Sequence, residues 1–277
     1  MLQGELTTKP HKCGWKARRH MESNPHIWIS VLREQQNHLA AAVEPFSAGQ
    51  LRSQSYHSWT IAEVLSHLGS QAEFFTGWLE AGLSGAEPGG QETMRLVWDA
   101  WEARTPEQQA TDSILENERL VQRFESLNQE ELDRFHLSFF GMELSSADLV
   151  RLRLSEFALH SWDIEVALNS SAVLPATAVD LLIDSLDQIA SRGGKPQEKS
   201  FQIRVRTSEP GRDFVLTVQE KVLLESFEQQ SVDGEVGIPS EAFIRLLYGR
   251  MDANHTPEVR VTGHVTLGDL RSVFPGI

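Results

Sequence analysis

The sequence predicts an α-helical N-terminal region followed by a smaller α/β region. Apolar residues recur at helical intervals over 27–44, 59–83 and 145–169, and cap or breaker residues flank these runs. After Lys195 the segments FQIRVRT and DFVLTVQE alternate apolar and polar residues, as half-buried strands do. We therefore expect residues 21–192 to form a helical bundle and residues 195–277 to form a small α/β domain.

Turn and capping residues place the elements of the first region. Pro45 ends the first helix, and Ser58 or Thr60 can cap the second, which the loop GAEPGG at 85–90 ends. Residues 129–144 carry no clear pattern. The remaining helices are predicted at 91–103, at 112–128, from Ser145–Ser146 onward, and at 176–191 before the stop at Gly193-Gly194.

The second region mixes strands with short helices. Pro210-Gly211 is predicted to turn the first strand into the second, and a third strand is expected around 230–237. The last elements are predicted to be a helix from Ser240 to Gly249, a strand in PEVRVTG and a helix in LGDLRSVF.

Composition narrows the class of protein. The net charge of −14 argues against a broad nucleic-acid surface, which needs clustered lysine and arginine. No run approaches the roughly 20 apolar residues of a membrane helix, so no membrane partner is expected. Residues 1–20 are basic but lack the apolar core of a secretory signal, and we interpret them as a disordered arm or a mis-assigned start.

The chain has a single cysteine, Cys13, within that arm. A disulfide framework is therefore excluded, which fits a reducing cytoplasm. A structural zinc site built from cysteines is excluded as well. Any thiol chemistry must use a thiol that comes from outside the fold.

Three residues form the strongest candidate site. Glu156 and His160 lie four apart on one predicted helix, so a carboxylate and an imidazole share one face and can converge on a divalent ion such as zinc. His67 lies at the edge of another helix's apolar stripe, where a bundle can bring it to that pair. Asp163 can accept a hydrogen bond from His160.

Ordinary structural roles compete with each of these assignments. A lone histidine beside an apolar face is usually a packed boundary residue, and Glu156 can pair with Arg153 instead of a metal. His57 is a weaker site candidate, whereas His255 and His264 are expected to face solvent. The tryptophans, Trp59 and Trp98 among them, are expected in the core. Nucleotide and esterase fingerprints are missing from the sequence.

Three stretches resemble the mycothiol-dependent maleylpyruvate isomerase family, which is related to DinB-like metal-binding bundles. They are SWTIAEVLSHL, then RLRLSEFALHSWDIEVAL with its Arg-x-x-Glu-x-x-x-His-x-Trp-Asp-Ile pattern, and SEAFIRLLYGR with the later VRVTGHVTLGDLRSVF. The resemblance implies a DinB-like four-helix bundle followed by a small C-terminal α/β domain. It also implies that His67, Glu156 and His160 are the metal ligands, and that a C-terminal arginine binds thiol or substrate. Arg250 matches that arginine best and Arg260 second.

The resemblance implies a cytoplasmic isomerase or S-transferase that depends on a divalent metal, zinc by preference. Its partners would be mycothiol or a similar small thiol and a small electrophile, in a monomer or small homo-oligomer. Two other functions remain open, since a fold does not fix a function. One is a non-catalytic metal-binding or regulatory module, and the other is a metal-dependent hydrolase that uses bound water.

Overall fold

A computed structural model describes residues 24–276 except His57 and Phe140. The predicted arm at 1–20, Cys13 and the candidate His57 therefore lie outside the described residues. Within the described part of the chain, no helix combines the length and apolarity needed to cross a bilayer.

The N-terminal region contains four long helices and several short elements. The long helices are α1 (Pro25–Val43), α3 (Ile61–Ser84), α5 (Pro106–Glu125) and α7 (Ser146–Leu168). Between them lie α2 (Ala48–Leu51), α4 (Gln91–Glu102), α6 (Gln129–Arg134) and a hairpin of β1 (Leu137–Phe139) and β2 (Met142–Leu144). After α7 come α8 (Ala176–Leu182), a 3₁₀ turn (Ile183–Ser185) and α9 (Asp187–Gly193).

The four long helices enclose one core in a ring. Helices α1 and α3 each pack against both α5 and α7. Their facing positions are apolar and fully buried, among them Leu32, Leu65, Leu68 and Phe157. Residues at helical spacing thus form a four-helix bundle in which α3 and α7 are neighbours, as the sequence predicts.

The C-terminal region forms one mixed sheet covered by helices. Its elements are β3 (Phe201–Ser208), β4 (Asp213–Val218), β5 (Val222–Ser226), β6 (Gly234–Pro239), α10 (Ser240–Leu247), β7 (Arg260–Val261) and α11 (Leu267–Val273). The strand order is β5-β4-β3-β6-β7, with β3 and β6 parallel and the other pairs antiparallel. Alternate residues of β3 are buried, and α10 packs on β3 and β6. The fold is therefore a helical bundle with a small α/β unit, as predicted.

Some elements differ from the sequence-based predictions. The helix expected over 176–191 is broken at Ile183–Ser185. Arg212, in the β3–β4 turn, donates to both carboxylate oxygens of Asp184 at 2.6 and 2.7 Å, and the Ser185 hydroxyl donates to the Leu182 carbonyl. These contacts hold the break, which lets α8 pack on α7 and α9 on β5.

Other predicted boundaries shift by a few residues. The unassigned stretch 129–144 is helix α6 and the hairpin, in which Gly141 takes a φ of 74°. Strand β5 at Val222–Ser226 was not predicted, because it is an edge strand with a short alternation. The strand expected in PEVRVTG shrinks to two residues.

Two glycines of helix α3 allow a direct test of the packing. A Cβ on Gly69 would lie 2.1 Å from the buried ring of Trp101, whereas a Cβ on Gly77 would meet nothing within 4 Å. We expect Gly69→Ala to lower the free energy of unfolding by about 1–3 kcal/mol through overpacking. Gly77→Ala is the matched control and should raise it by about 0.5–1 kcal/mol through helix propensity. Urea denaturation measures both, and equal effects would contradict the packing of α4 on α3.

Candidate metal centre

His67, Glu156 and His160 converge between helices α3 and α7. The Oε2 atom of Glu156 lies 3.7 Å from Nε2 of His67 and 3.7 Å from Nε2 of His160. The two imidazole rings meet edge to face with centroids 4.6 Å apart. One donor atom from each residue lies within 4.8 Å of the other two. The structure therefore brings together the three residues that were predicted from the sequence as candidate metal ligands.

The local sequence fixes the ends of both helices that carry these side chains. Thr60 and Glu63 form a capping box at the start of α3, and Ser145 and Asp148 form one at the start of α7. Glu156 and His160 are then stacked by their i,i+4 spacing. The packing of α3 against α7 supplies His67 from across the bundle.

Two imidazole nitrogens and one carboxylate oxygen are a donor set suited to zinc and similar divalent ions. Within the described ranges, this is the group of three such side chains whose donor atoms lie close enough to share an ion. Each residue is half-buried, so the cluster is reachable from outside the core. The residues present thus fit a divalent cation with a coordination position left for a further ligand.

Glu156 is ionised at neutral pH. Burial acts to raise its pKa, but the contact with His67, the charge that His160 carries when it is protonated at low pH and a hydrogen bond from Gln71 outweigh burial and lower the pKa to about 2. Nε2 of Gln71 donates to Oε2 of Glu156 at 2.7 Å.

Arg153 lies fully buried behind Gln71. Its Nη1 donates to Oε1 of Gln71 at 2.7 Å, and its Nη2 donates to the Leu68 carbonyl and to the Asn117 side chain. Burial lowers the pKa of Arg153 to about 9, against the opposing charge of Glu156, so the guanidinium stays positive at neutral pH. Arg153 and Glu156 do not pair directly, because Gln71 lies between them and hydrogen-bonds to both.

On the other side, Asp163 and Arg250 hold His160. Oδ2 of Asp163 lies 2.9 Å from Nδ1 of His160, as the sequence predicts. Arg250 donates from Nε to Oδ1 and from Nη2 to Oδ2 of Asp163, each at 2.8 Å. Burial acts to raise the pKa of Asp163, but His160 and Arg250 lower it, so the carboxylate is charged. Its acceptance of the Nδ1 proton leaves the Nε2 lone pair of His160 facing Glu156.

His160 itself is kept neutral. Burial lowers the pKa of His160, and the charge of Arg250 adds to this effect against the hydrogen bond to Asp163. A neutral imidazole is the form that binds a metal.

Arg250 reaches the site, but its hydrogen bonds go to protein groups. Besides Asp163, its Nη1 donates to the Tyr248 carbonyl at 3.1 Å. Its side chain is 10% exposed. Arg260, the second candidate, is exposed on β7 beside Glu258. The role of either arginine in holding a substrate carboxylate stays a prediction.

Trp59 was expected in the core, and this expectation is wrong. It is 42% exposed, and its ring lies 5.1 Å from that of His67 and 6.1 Å from that of His160. Trp59 precedes the N-cap residue Thr60 and so lies outside the apolar stripe of α3, and this position could have indicated its exposure. Trp98 is likewise 39% exposed.

Other residues were missed or misplaced from the sequence. Gln71 was missed; it follows His67 by four residues, so helical spacing could have indicated it. His255 is half-buried rather than solvent-facing, because it packs edge-on against Tyr56 and bonds Asp252.

Residues 32–165 match the family described as the mycothiol maleylpyruvate isomerase N-terminal domain. The helical region of this chain is therefore similar to that domain. The matched range spans the bundle from α1 to α7 and includes His67, Glu156 and His160.

Solved structures extend the likeness to the whole fold. A crystal structure of the mycothiol-dependent maleylpyruvate isomerase covers 88% of this chain and 95% of its own, with a TM-score of 0.66 and 12% identity. A histidine-to-alanine mutant of that enzyme matches with a TM-score of 0.65 and 11% identity over the same shares. At this identity the likeness concerns the fold. Among curated proteins none matches the chain.

The buried pair of Asp163 and Arg250 predicts a stability effect. Arg250→Met leaves a buried carboxylate without its cation, and we expect it to lower the free energy of unfolding by about 3–5 kcal/mol. Adding Asp163→Asn should recover part of that loss. Arg260→Met is the exposed control and should change stability by less than about 0.5 kcal/mol. Chemical denaturation checks the set, and equal effects of the two arginine variants would refute the pairing.

Proposed function

We propose that the protein is a thiol-dependent isomerase or S-transferase that uses a divalent ion, zinc by preference, held by His67, Glu156 and His160. The thiol would be mycothiol or a similar small thiol. One observation carries this proposal: three donor atoms lie within 4.8 Å of one another inside a region that matches the mycothiol maleylpyruvate isomerase N-terminal domain.

The metal would act on the thiol by lowering its pKa, as bound cations do to coordinating sulfur. The chain's own residues prepare the site. Glu156 is ionised, His160 presents its Nε2 lone pair, and Asp163 with Arg250 fixes the orientation of the ring. The ring of Trp59 lies beside both imidazoles, with centroids 5.1 and 6.1 Å away.

The thiolate sulfur then attacks an electrophilic carbon. In an isomerisation, the sulfur adds to one carbon of a cis double bond, which becomes a carbon–carbon single bond. Rotation about this single bond and loss of the thiolate then restore the double bond in trans geometry. In a transfer, the sulfur stays on carbon and a leaving group departs with the bonding electron pair. Arg250, which reaches His160 through Asp163, is the proposed contact for the thiol.

Thiol dependence is the deciding test of this function. The metal-loaded protein is incubated with mycothiol and either maleylpyruvate or a panel of electrophiles, with thiol loss and cis–trans conversion followed in parallel. We expect turnover with thiol and none without it. Turnover without thiol would favour the hydrolase, and no turnover in either case would favour the binding module.

Metal content tests the assigned ligands separately. We expect about one divalent ion per chain in the wild type and almost none in His67→Ala/His160→Ala. Gln71→Leu removes the hydrogen bond to Glu156 and should weaken metal affinity about 10-fold. His264→Ala, at an exposed site far along the chain, is the control for loss of a histidine. Stoichiometric metal in the double variant would overturn the assignment.

A further inference from the structure

A cleft of about 630 Å³ opens beside His67. This volume suits a small organic ligand. Its walls combine indole rings with carboxylates, and the residues that matter here are His67, Trp59, Trp98, Trp101, Glu63 and Glu102. Two serines and a glutamine complete the described lining, which contains no lysine or arginine.

Two arginines beside the candidate metal centre are already engaged by the protein. Arg250 donates hydrogen bonds to Asp163 and to the Tyr248 carbonyl. Arg153 is buried and donates hydrogen bonds to Gln71 and Asn117.

Arg104 stacks on the cleft residue Trp101, with Cζ 3.6 Å from the ring centroid. It also pairs with Glu73 at 3.7 Å and with Asp112 at 3.5 Å. A ligand carboxylate in this cleft would therefore face Glu63 and Glu102 with no uncommitted arginine among these three to neutralise it.

The tryptophans provide the apolar surface. Trp101 is 1% exposed and is fixed by donation from Nε1 to Oε1 of Glu73 at 2.7 Å, so it is a rigid wall. Trp59 and Trp98 keep about two fifths of their surface exposed, and Trp98 is braced edge-on by Phe74 with ring centroids 5.4 Å apart. Exposed indoles held in place are surfaces on which planar, apolar rings stack.

We propose that this cleft binds an uncharged aromatic electrophile and disfavours a carboxylate-bearing one. The inference rests on the proposed thiol chemistry for the reaction and names the substrate class for it. With an aryl halide, the thiolate sulfur forms the C–S bond, chloride leaves with the C–Cl electron pair, and the thiol proton passes to the buffer. Trp59 and Trp98 stack the ring, and Glu63 and Glu102 repel anions.

A matched pair of compounds tests the charge preference. Methyl 4-chloro-3,5-dinitrobenzoate and the free acid, 4-chloro-3,5-dinitrobenzoate, are each reacted with mycothiol on the metal-loaded protein. Each rate is divided by the uncatalysed rate of the same compound. We expect the acceleration to be about 10-fold larger for the ester, since the two exposed carboxylates that line the cleft oppose an anion. Equal acceleration, or preference for the acid, would overturn the proposal.

Variants test whether the preference for the ester over the acid arises in the cleft. Glu102→Arg should shift the ester-to-acid ratio toward the acid by about 10-fold, because it replaces a repelling charge with an attracting one. Glu220→Arg makes the same change of charge in the exposed turn between β4 and β5 and should leave the ratio unchanged. Trp98→Ala should raise KM for the ester. A Glu102→Arg variant with the wild-type ratio would contradict the proposal.

Binding without reaction separates this inference from the proposed function. Methyl 3,5-dinitrobenzoate and 3,5-dinitrobenzoate lack the leaving group and are titrated into the protein by calorimetry. Tighter binding of the ester with no thiol-dependent turnover supports the cleft assignment and contradicts the proposed function. Turnover together with tighter binding of the acid contradicts the cleft assignment alone.

Discussion

A buried ion pair between Asp163 and Arg250 joins the two regions of the molecule, and the candidate site depends on it. The carboxylate is on α7 and the guanidinium follows α10, with side chains 2% and 10% exposed. A pair this deep offsets the cost of removing its charges from water only when the geometry is good, and two 2.8 Å hydrogen bonds provide that geometry. Arg245 adds a second link by lying 4.7 Å from the ring centroid of Trp162. The orientation of His160 is therefore set by the C-terminal region, which supplies no candidate ligand of its own.

The opposite side of the site depends on a neutral connector. Gln71 accepts from Arg153 and donates to Glu156, so it separates a buried cation from the carboxylate while hydrogen-bonding to both. A direct Arg153–Glu156 pair would place a positive charge on the carboxylate, whereas Gln71 donates to Oε2, the oxygen that faces the histidines, as a neutral group. With Gln71 in place, Glu156 keeps a low pKa and an oxygen that lies 3.7 Å from each imidazole. The two networks hold Glu156 and His160 in the protonation states that a divalent ion requires of its ligands.

The substrate named for the similar structures and the lining of the cleft in this chain favour ligands of different charge. The family and the matched crystal structures carry the name of an isomerase whose substrate, maleylpyruvate, is a carboxylate. The cleft beside His67 is lined by carboxylates and indoles. Arg250 is hydrogen-bonded to protein acceptors, and Arg104 is paired with Glu73 and Asp112. A shared scaffold with a changed lining is the usual way for one fold to serve several substrates. In the proposed reaction, the bundle provides the ligands for the divalent ion, and the cleft selects the electrophile through residues such as Trp98 and Glu102.

The sequence by itself determined the helical bundle, the α/β region and the pair of Glu156 and His160, because helical spacing and strand alternation are local properties of the chain. It also excluded cysteine ligands, since Cys13 is the one cysteine. The attachment of His67 to the pair came from resemblance, and its geometry came from the packing of α3 on α7. Only the tertiary structure decided that Arg250 binds Asp163, that Trp59 faces the imidazoles, and that the helix over 176–191 breaks where Arg212 holds Asp184. These outcomes depend on contacts between residues far apart in the chain, and spacing along the chain does not encode such contacts.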